Sequence, residues 1–428
     1  MQKRGLLVGV LIALVPIGLP GLSRAETFIS GFVEATQVLR IQKNRALDAS
    51  ERFIDWRSPR SELRAQLKFS GGGDRDEYFV RMDIISDQVY GSQTAIDLRE
   101  AYLKLHPYAW LDLKIGRQVA TWGTGDLLFA NDLFAKDWVA FFTGQELSYL
   151  KPPQDLIRVG IYTGGPTIEW AASPYYTMDN LPSGERLSIY NPFTQSTVDA
   201  ENAPAIQSRP KTLANAEWFL RVSGLRGNSE WALYGYRGYF PQPLGVTSDG
   251  TGPVLFAPRL ASGGASLRGS LAGYLVNVEA AYYYSENDMG GDDPLLPNSA
   301  VKLLAGAEKS LGNELTASVQ WFGDFTQDYD TYAAQMTASG MEPADELRHT
   351  ATLRLTKFLR YQTVKLSFFG YWGISDEDVY LRPDVEYSFS DALKITMGAN
   401  WLDGNRPYTM FGQFRHNSNL YSRVRYSF

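Results

Sequence analysis

From Ser61 to Phe69 the chain alternates strictly, with Leu63, Ala65, Leu67 and Phe69 on one face of an extended segment and Glu62, Arg64, Gln66 and Lys68 on the other. A period of two is that of a strand, not of a helix. It returns with Leu111, Leu113 and Ile115 against Asp112, Lys114 and Gln118, and with Leu315, Ala317, Val319 and Trp321 against Thr316, Ser318 and Gln320. Farther on, Ala351, Leu353 and Leu355 oppose Thr352, Arg354 and Thr356; Val379, Leu381, Val385 and Tyr387 oppose Tyr380, Arg382, Asp384 and Glu386. Leu393, Ile395, Met397, Ala399 and Trp401 oppose Lys394, Thr396 and Asn400. Each segment runs for about 9 to 14 residues, the length a tilted strand needs to cross a bilayer. The pattern predicts an all-β chain, but alternation alone suits a soluble sandwich as well as a barrel.

The connections separate the two. Short ones at Gly71–Asp74, His106–Ala109, Gly164–Pro166, Leu225–Asn228, Ala272–Gly273, Gly312–Asn313, Leu359–Tyr361 and Ser390–Asp391 alternate with long polar or Gly/Pro-rich ones. The long ones are Lys43–Ser58, Ala120–Gln154, Pro174–Lys211, Phe240–Phe256, Asn287–Asn298, Gln327–Asp345 and Asp403–Asn417. Short turns on one side and long loops on the other are the rhythm of a transmembrane β-barrel. The expectation is a single antiparallel transmembrane barrel over residues 26–428 with about 18 strands, 16 being the alternative, and both termini at the turn end. Aromatics near strand ends (Trp122, Trp170, Trp218, Tyr282, Trp321, Trp372, Tyr387, Trp401) fit girdles at headgroup level.

Composition narrows the setting. Lys3 and Arg4, the apolar run Gly5–Val15, Pro16, Gly18, Pro20 and the small residues Ser23 and Ala25 read as a signal peptide over 1–25. No later segment is apolar enough for a spanning helix. The absence of cysteine excludes a disulfide framework and thiolate ligation of a metal or haem. With 39 glycines and 25 tyrosines the chain leans towards turn-rich β structure, and a net charge of −6 argues against nucleic acid as a partner. The expected location is the outer membrane, in contact with its lipids.

Two stretches resemble known ones. The last strand sets Leu420, Val424, Tyr426 and Phe428 against Tyr421, Arg423 and Arg425, and a terminal Phe with this parity resembles the assembly signal of outer-membrane barrels. Val424, Tyr426 and Phe428 would present it to the barrel assembly machinery. The tract Leu98–Leu128, LREAYLKLHPYAWLDLKIGRQVATWGTGDLL, is similar to one in alginate-export-type and related porins of proteobacteria, through Gly116, Arg117, Gln118, Trp122 and Gly123. The resemblance covers less than a tenth of the chain; it implies an outer-membrane channel with charges facing the lumen and a loop folded into the pore.

A charge on the lipid face costs about 2 to 4 kcal/mol at the midplane, so polar faces should line the lumen. Arg348, Arg354, Lys365, Arg382, Lys394, Arg423 and Arg425, with Arg40, Arg64 and Lys68 brought beside them by closure, predict an electropositive wall. Glu34, Glu62, Asp384 and Glu386 are fewer, and Glu100, Asp112, Glu217, Glu308 and Glu314 lie on the opposite arc. Such a wall suits passage of small anionic solutes; bracing by arginine and carboxylate pairs is the plainer reading. The segment Ala120–Gln154 carries too much apolar surface for a solvated loop and is expected to pack into the mouth, with Asp126, Asp132, Lys136, Asp137 and Trp138 at a constriction. Packing on the rim or against another subunit is the alternative. Asp126, Asn131, Asp132 and Asp137 lack the ladder of a calcium loop, so no metal or cofactor is expected.

His106, His349 and His416 fall on separate segments, and no P-loop, dinucleotide fingerprint or zinc spacing occurs, so an enzyme is not expected. A porin-like channel leads. Export of an acidic polysaccharide and a sheath around a periplasmic partner such as a multihaem cytochrome are the other readings, and a homo-oligomer is compatible with all three.

Overall fold

The computed structural model describes residues 27–42, 58–90 and 93–428. The signal segment and nearly all of the Lys43–Ser58 loop lie outside the described residues. Eighteen strands form one sheet. They are β1 Phe28–Arg40, β2 Arg60–Gly72, β3 Asp76–Asp87, β4 Gln93–Tyr108, β5 Leu111–Gln118, β6 Gln154–Tyr162, β7 Thr167–Ser173, β8 Glu217–Arg226 and β9 Ser229–Tyr239. There follow β10 Arg259–Leu271, β11 Tyr274–Ser285, β12 Ala300–Ser310, β13 Leu315–Thr326, β14 Leu347–Leu359, β15 Val364–Gly373, β16 Asp378–Ser388, β17 Leu393–Gly404 and β18 Asn419–Ser427. Each pairs antiparallel with its sequence neighbour, and β1 closes the circle on β18 in a register running from Phe32 opposite Ser427 to Arg40 opposite Asn419. Closure leaves no edge strand, so every spanning segment has backbone partners on both sides.

The burial pattern is the reverse of a soluble protein's. On β2, Leu63 is 55% exposed while Glu62, Arg64 and Gln66 are 6%, 4% and 3% exposed. The same inversion puts Val33, Leu220, Leu233, Leu267, Val278, Val319, Val385, Met397 and Leu420 on the outside and Glu34, Ser266, Glu279, Gln320, Thr352, Thr396 and Asn400 within. A row of exposed aliphatics around a closed barrel is stable only against hydrocarbon. None of the helices among the described residues is long and apolar enough to cross a membrane; the crossing segments are strands.

The turn end matches the expected short connections. At the loop end, the expected alternation fails twice: β3 joins β4 through residues 88–92, and β15 joins β16 through residues 374–377, both nearly as short as turns. The loop end owes its bulk to residues 119–153, 174–216, 240–258 and 405–418, which fold over and into the mouth. Trp122 corrects a second expectation. It is buried among Phe134, Phe219 and Tyr234 inside the barrel rather than in a girdle, because the chain has already left β5 at Gln118 and turned inward.

Arginine in place of the outward Leu233 should cost about 2 to 4 kcal/mol in refolding titrations with lipid vesicles, against about 0 to 1 kcal/mol for arginine at Phe28 near the turn-end rim. Equal costs at the two depths would contradict the outward assignment.

Candidate functional site

Residues 119–153, the third connection at the loop end, form a plug with a core of its own. Asp137 caps a short helix, Trp138–Phe142, accepting from Ala140 N at 2.7 Å. The helix turns Trp138, Phe141 and Phe142 into a cluster with Leu150, and wall residues Tyr371 and Tyr380 and loop residues Phe411 and Phe414 complete it. A second cluster stacks Phe134 on Phe219 of β8, 4.3 Å between ring centroids, with Trp122, Tyr236 and Tyr283 around them. Burial of these rings supplies the drive that carries a long loop out of water and into the lumen.

Polar anchors from many sides of the wall hold the plug. On β11 the buried Glu279 carboxylate accepts from the backbone N–H groups of Thr124, Gly125 and Asn131, the Thr124 hydroxyl at 2.9 Å and the Asn131 amide at 2.8 Å. Among the described residues no basic side chain pairs with it; neutral donors from the plug satisfy the carboxylate. Two glycines make the clasp possible. Gly123 has φ +79°, and at Gly264 of β10 a Cβ would sit 1.9 Å from the Asn131 side-chain oxygen. Across the lumen, Tyr371 donates to Leu127 O, Arg382 to Phe141 O and Gln145 O, and Asn419 to Phe142 O at 3.2 Å. Gln320 accepts from Asp126 N at 2.9 Å, Arg60 donates to the Thr143 hydroxyl, and Tyr149 donates to Asp83 at 2.9 Å.

The expected pore-lining residues have distinct fates. Arg64 is buried between Glu62 and Asp83, Arg425 bonds Glu34 and Glu146 at 2.7 Å each, and Arg348 pairs with Asp376 at 3.1 Å. Lys394 reaches Glu386 at 3.4 Å, and Arg40 donates to Arg186 O. Arg382, spent on plug carbonyls, braces rather than lines. Lys68, Lys365 and Arg423 form no ion pair with the described residues. The wall is therefore less one-sided than its strands suggest, because the plug inserts Glu146 beside Arg425, Arg423 and Lys68. Burial raises the affinity of this carboxyl for a proton, but Arg425 foremost and then Arg423 and Lys68 outweigh it and hold its pKa below the usual range.

The expected constriction residues divide likewise. Asp126 faces Arg354 of β14 at 2.6 Å with both side chains about a third exposed, the one pair of the set that reaches the open lumen. Burial pushes the Asp126 carboxyl above its usual value and Arg354 offsets this only in part. Asp132, Lys136 and Trp138 are buried. Lys136 bonds Asp132 at 3.2 Å and Phe134 O at 2.6 Å, and the Lys136 N–H and Trp138 indole both donate to Asp179 at 2.8 Å. They fasten the plug to the 174–216 loop. Sequence reasoning missed Glu279, Glu146, Gln320 and Asp179. A readable signal existed for Glu279, the one acidic residue in an otherwise uncharged strand, set against a Trp-Gly-Thr-Gly tract with N–H groups to spare.

OccAB3 of Acinetobacter baumannii is 10% identical over 94% of this chain and 99% of its own, with a TM-score of 0.53. The outer-membrane channel DcaP of the same organism (12%, 95% and 99%, TM-score 0.44) and a loop-deleted OmpT, an outer-membrane protein of Vibrio cholerae (11%, 95% and 100%, TM-score 0.44), are also similar. The fold is that of an outer-membrane porin. No protein-family model and no curated protein matches the chain in sequence. The likeness is thus one of architecture: the barrel is shared, and the residues that hold the plug must be read from this chain itself.

Glu279→Ala leaves five plug donors without their acceptor and should raise single-channel conductance and open-channel noise in planar bilayers while the barrel still folds; unaltered traces would mean that Glu279 does not hold the plug. Burial, partly countered by Lys136 and the Trp138 indole, pushes the Asp179 carboxyl up to about 6. A pKa raised by folding means that the folded state gains stability as pH falls through that value and loses it as pH rises. The melting temperature of the wild type relative to Asp179→Asn should accordingly increase from pH 7.5 to pH 5, and a flat difference would contradict the assignment.

Proposed function

We propose that this chain is an outer-membrane channel through which small solutes pass, anions in preference, along the lumen left beside the plug. One observation carries the reading. A closed barrel with an apolar exterior holds its own third external loop across a polar lumen, and on that wall Lys68, Lys365 and Arg423 form no ion pair with the described residues. Fixed positive charge in a narrow water-filled passage with low-dielectric walls raises the local concentration of anions. Asp384 lies within electrostatic reach of Lys365, Arg382 and Arg423 and moderates the field, so the expected preference is modest.

The lumen space that a sheath would give to an enclosed partner is taken up by the chain's own residues, which supports the channel over that reading. Kinship with alginate-export-type porins, suggested by the Leu98–Leu128 tract, would put an acidic polysaccharide among the solutes suited to the same wall. Val424, Tyr426 and Phe428 point outward at the β1–β18 seam, where Phe428 exchanges backbone hydrogen bonds with Gly31 at 2.9 and 3.0 Å, a position open to the assembly machinery.

Glutamate at Lys365 and Arg423 together should shift the reversal potential in a salt gradient towards cation selectivity, with little change at Arg382→Gln beyond altered plug noise. Identical reversal potentials in wild type and the double variant would overturn the anion preference, and absence of conductance in the pure protein would overturn the channel.

A further inference from the structure

A group of arginines sits on the outer surface of the barrel, where the lumen function has no use for it. Arg237 near the loop end of β9 has the outward parity of Leu233, and its neighbours in register are the exposed Trp218 of β8 and Ala261 of β10, the latter opposite Tyr284 of β11. Its side chain is 69% exposed and donates to Glu286 at 3.0 Å. Arg259 begins β10 with the outward parity of Ala261 and Leu267, in register with Tyr239. From the 174–216 loop, Arg209 stacks on the same Tyr239 ring, its guanidinium 4.0 Å from the centroid and that of Arg259 5.3 Å away. Tyr239 is held rigidly, donating to Asn215 at 2.8 Å and packing on Tyr176. Arg209 spends two donors on Ala257 O, and neither it nor Arg259 forms an ion pair with the described residues.

Two guanidiniums on one ring repel each other, and a third stands in the next strand with a single carboxylate among the three. At lipid-headgroup level beside an aromatic girdle, the ligand that removes this repulsion is an anion with several acceptor oxygens, matched to the guanidinium fork. Trp218 lies beside Arg237, and below the arginines, towards the membrane centre, Leu220, Leu233 and Tyr282 give an exposed apolar surface on which acyl chains can lie. We propose that the outward face of β8–β11 at the loop end is a docking surface for a phosphate-bearing acylated lipid of the external leaflet, gripped by Arg209, Arg237 and Arg259. The proposal rests on the membrane orientation of the barrel and is independent of what crosses the lumen.

The test is native mass spectrometry of the purified full barrel in a neutral maltoside detergent, with diphosphorylated lipid A, dioleoylphosphatidylcholine or inorganic phosphate added. The wild type should retain lipid A, and alanine at Arg209, Arg237 and Arg259 together should weaken retention about tenfold or more, as expected for loss of charge-assisted bonds. Lysine at the three positions should keep part of it. Should the triple variant fail to show heat-modifiable migration, Arg259→Ala and Arg237→Ala singly should each still weaken retention by a few-fold. Equal retention by the folded variants, or equal retention of phosphatidylcholine by the wild type, would overturn the site. Displacement of lipid A by inorganic phosphate at matched concentration would assign the arginines to a free anion and overturn the lipid reading. Ion selectivity in planar bilayers should not change in these variants, which keeps this result separate from the channel proposal.

Discussion

Hydrocarbon accepts no hydrogen bonds, and nearly every feature of this chain follows from that constraint. A strand that crosses a bilayer must find partners for all its N–H and C=O groups in other strands, and only a sheet closed on itself leaves none over. Closure of β18 on β1 meets this requirement and at the same time divides each strand into a face for lipid and a face for water. The exposed Leu63 beside the buried Arg64 is the local form of the division, repeated around the wall.

The division creates a second problem, a broad polar lumen lined by side chains that need partners. Two solutions are combined here. Arginine and carboxylate pairs such as Arg64 with Asp83 and Arg425 with Glu34 satisfy the wall laterally. The 119–153 plug satisfies it radially, with Glu279, Tyr371, Arg382 and Asn419 each meeting plug backbone groups from a different strand. An apolar core of its own, built on Trp138, Phe141 and Phe142, makes the plug a folded element rather than a solvated strand of chain. Interactions of this kind are worth more in the enclosed lumen than at the surface, because little water competes for the same donors.

Strand existence, the up-and-down order and the inward fold of the third loop were legible in the sequence because each is a local matter: parity within a strand, length of a connection, excess of apolar residues in a loop. What was not legible depends on contacts across the lumen. Arg382 reads as a pore-lining charge on its strand, and only the arrival of Phe141 and Gln145 makes it a brace. Glu146 lies in a loop and is invisible to any reading of the wall until the loop places it against Arg425. Trp122 reads as a girdle residue by type and is an interior one by topology. The two short connections at residues 88–92 and 374–377 broke the rhythm because neither has length enough to stand apart from its strands.

Which side of each strand meets lipid decides the whole architecture. The chain has no cysteine, so single cysteines at positions 61 to 69 of β2 and 315 to 323 of β13 can be labelled with a fluorophore and the protein reconstituted in vesicles of brominated lipid. Quenching should alternate with a period of two, strong at 63, 65, 67 and 317, 319, 321 and weak at 62, 64, 66 and 316, 318, 320. Quenching without alternation, or in the opposite phase, would contradict this architecture.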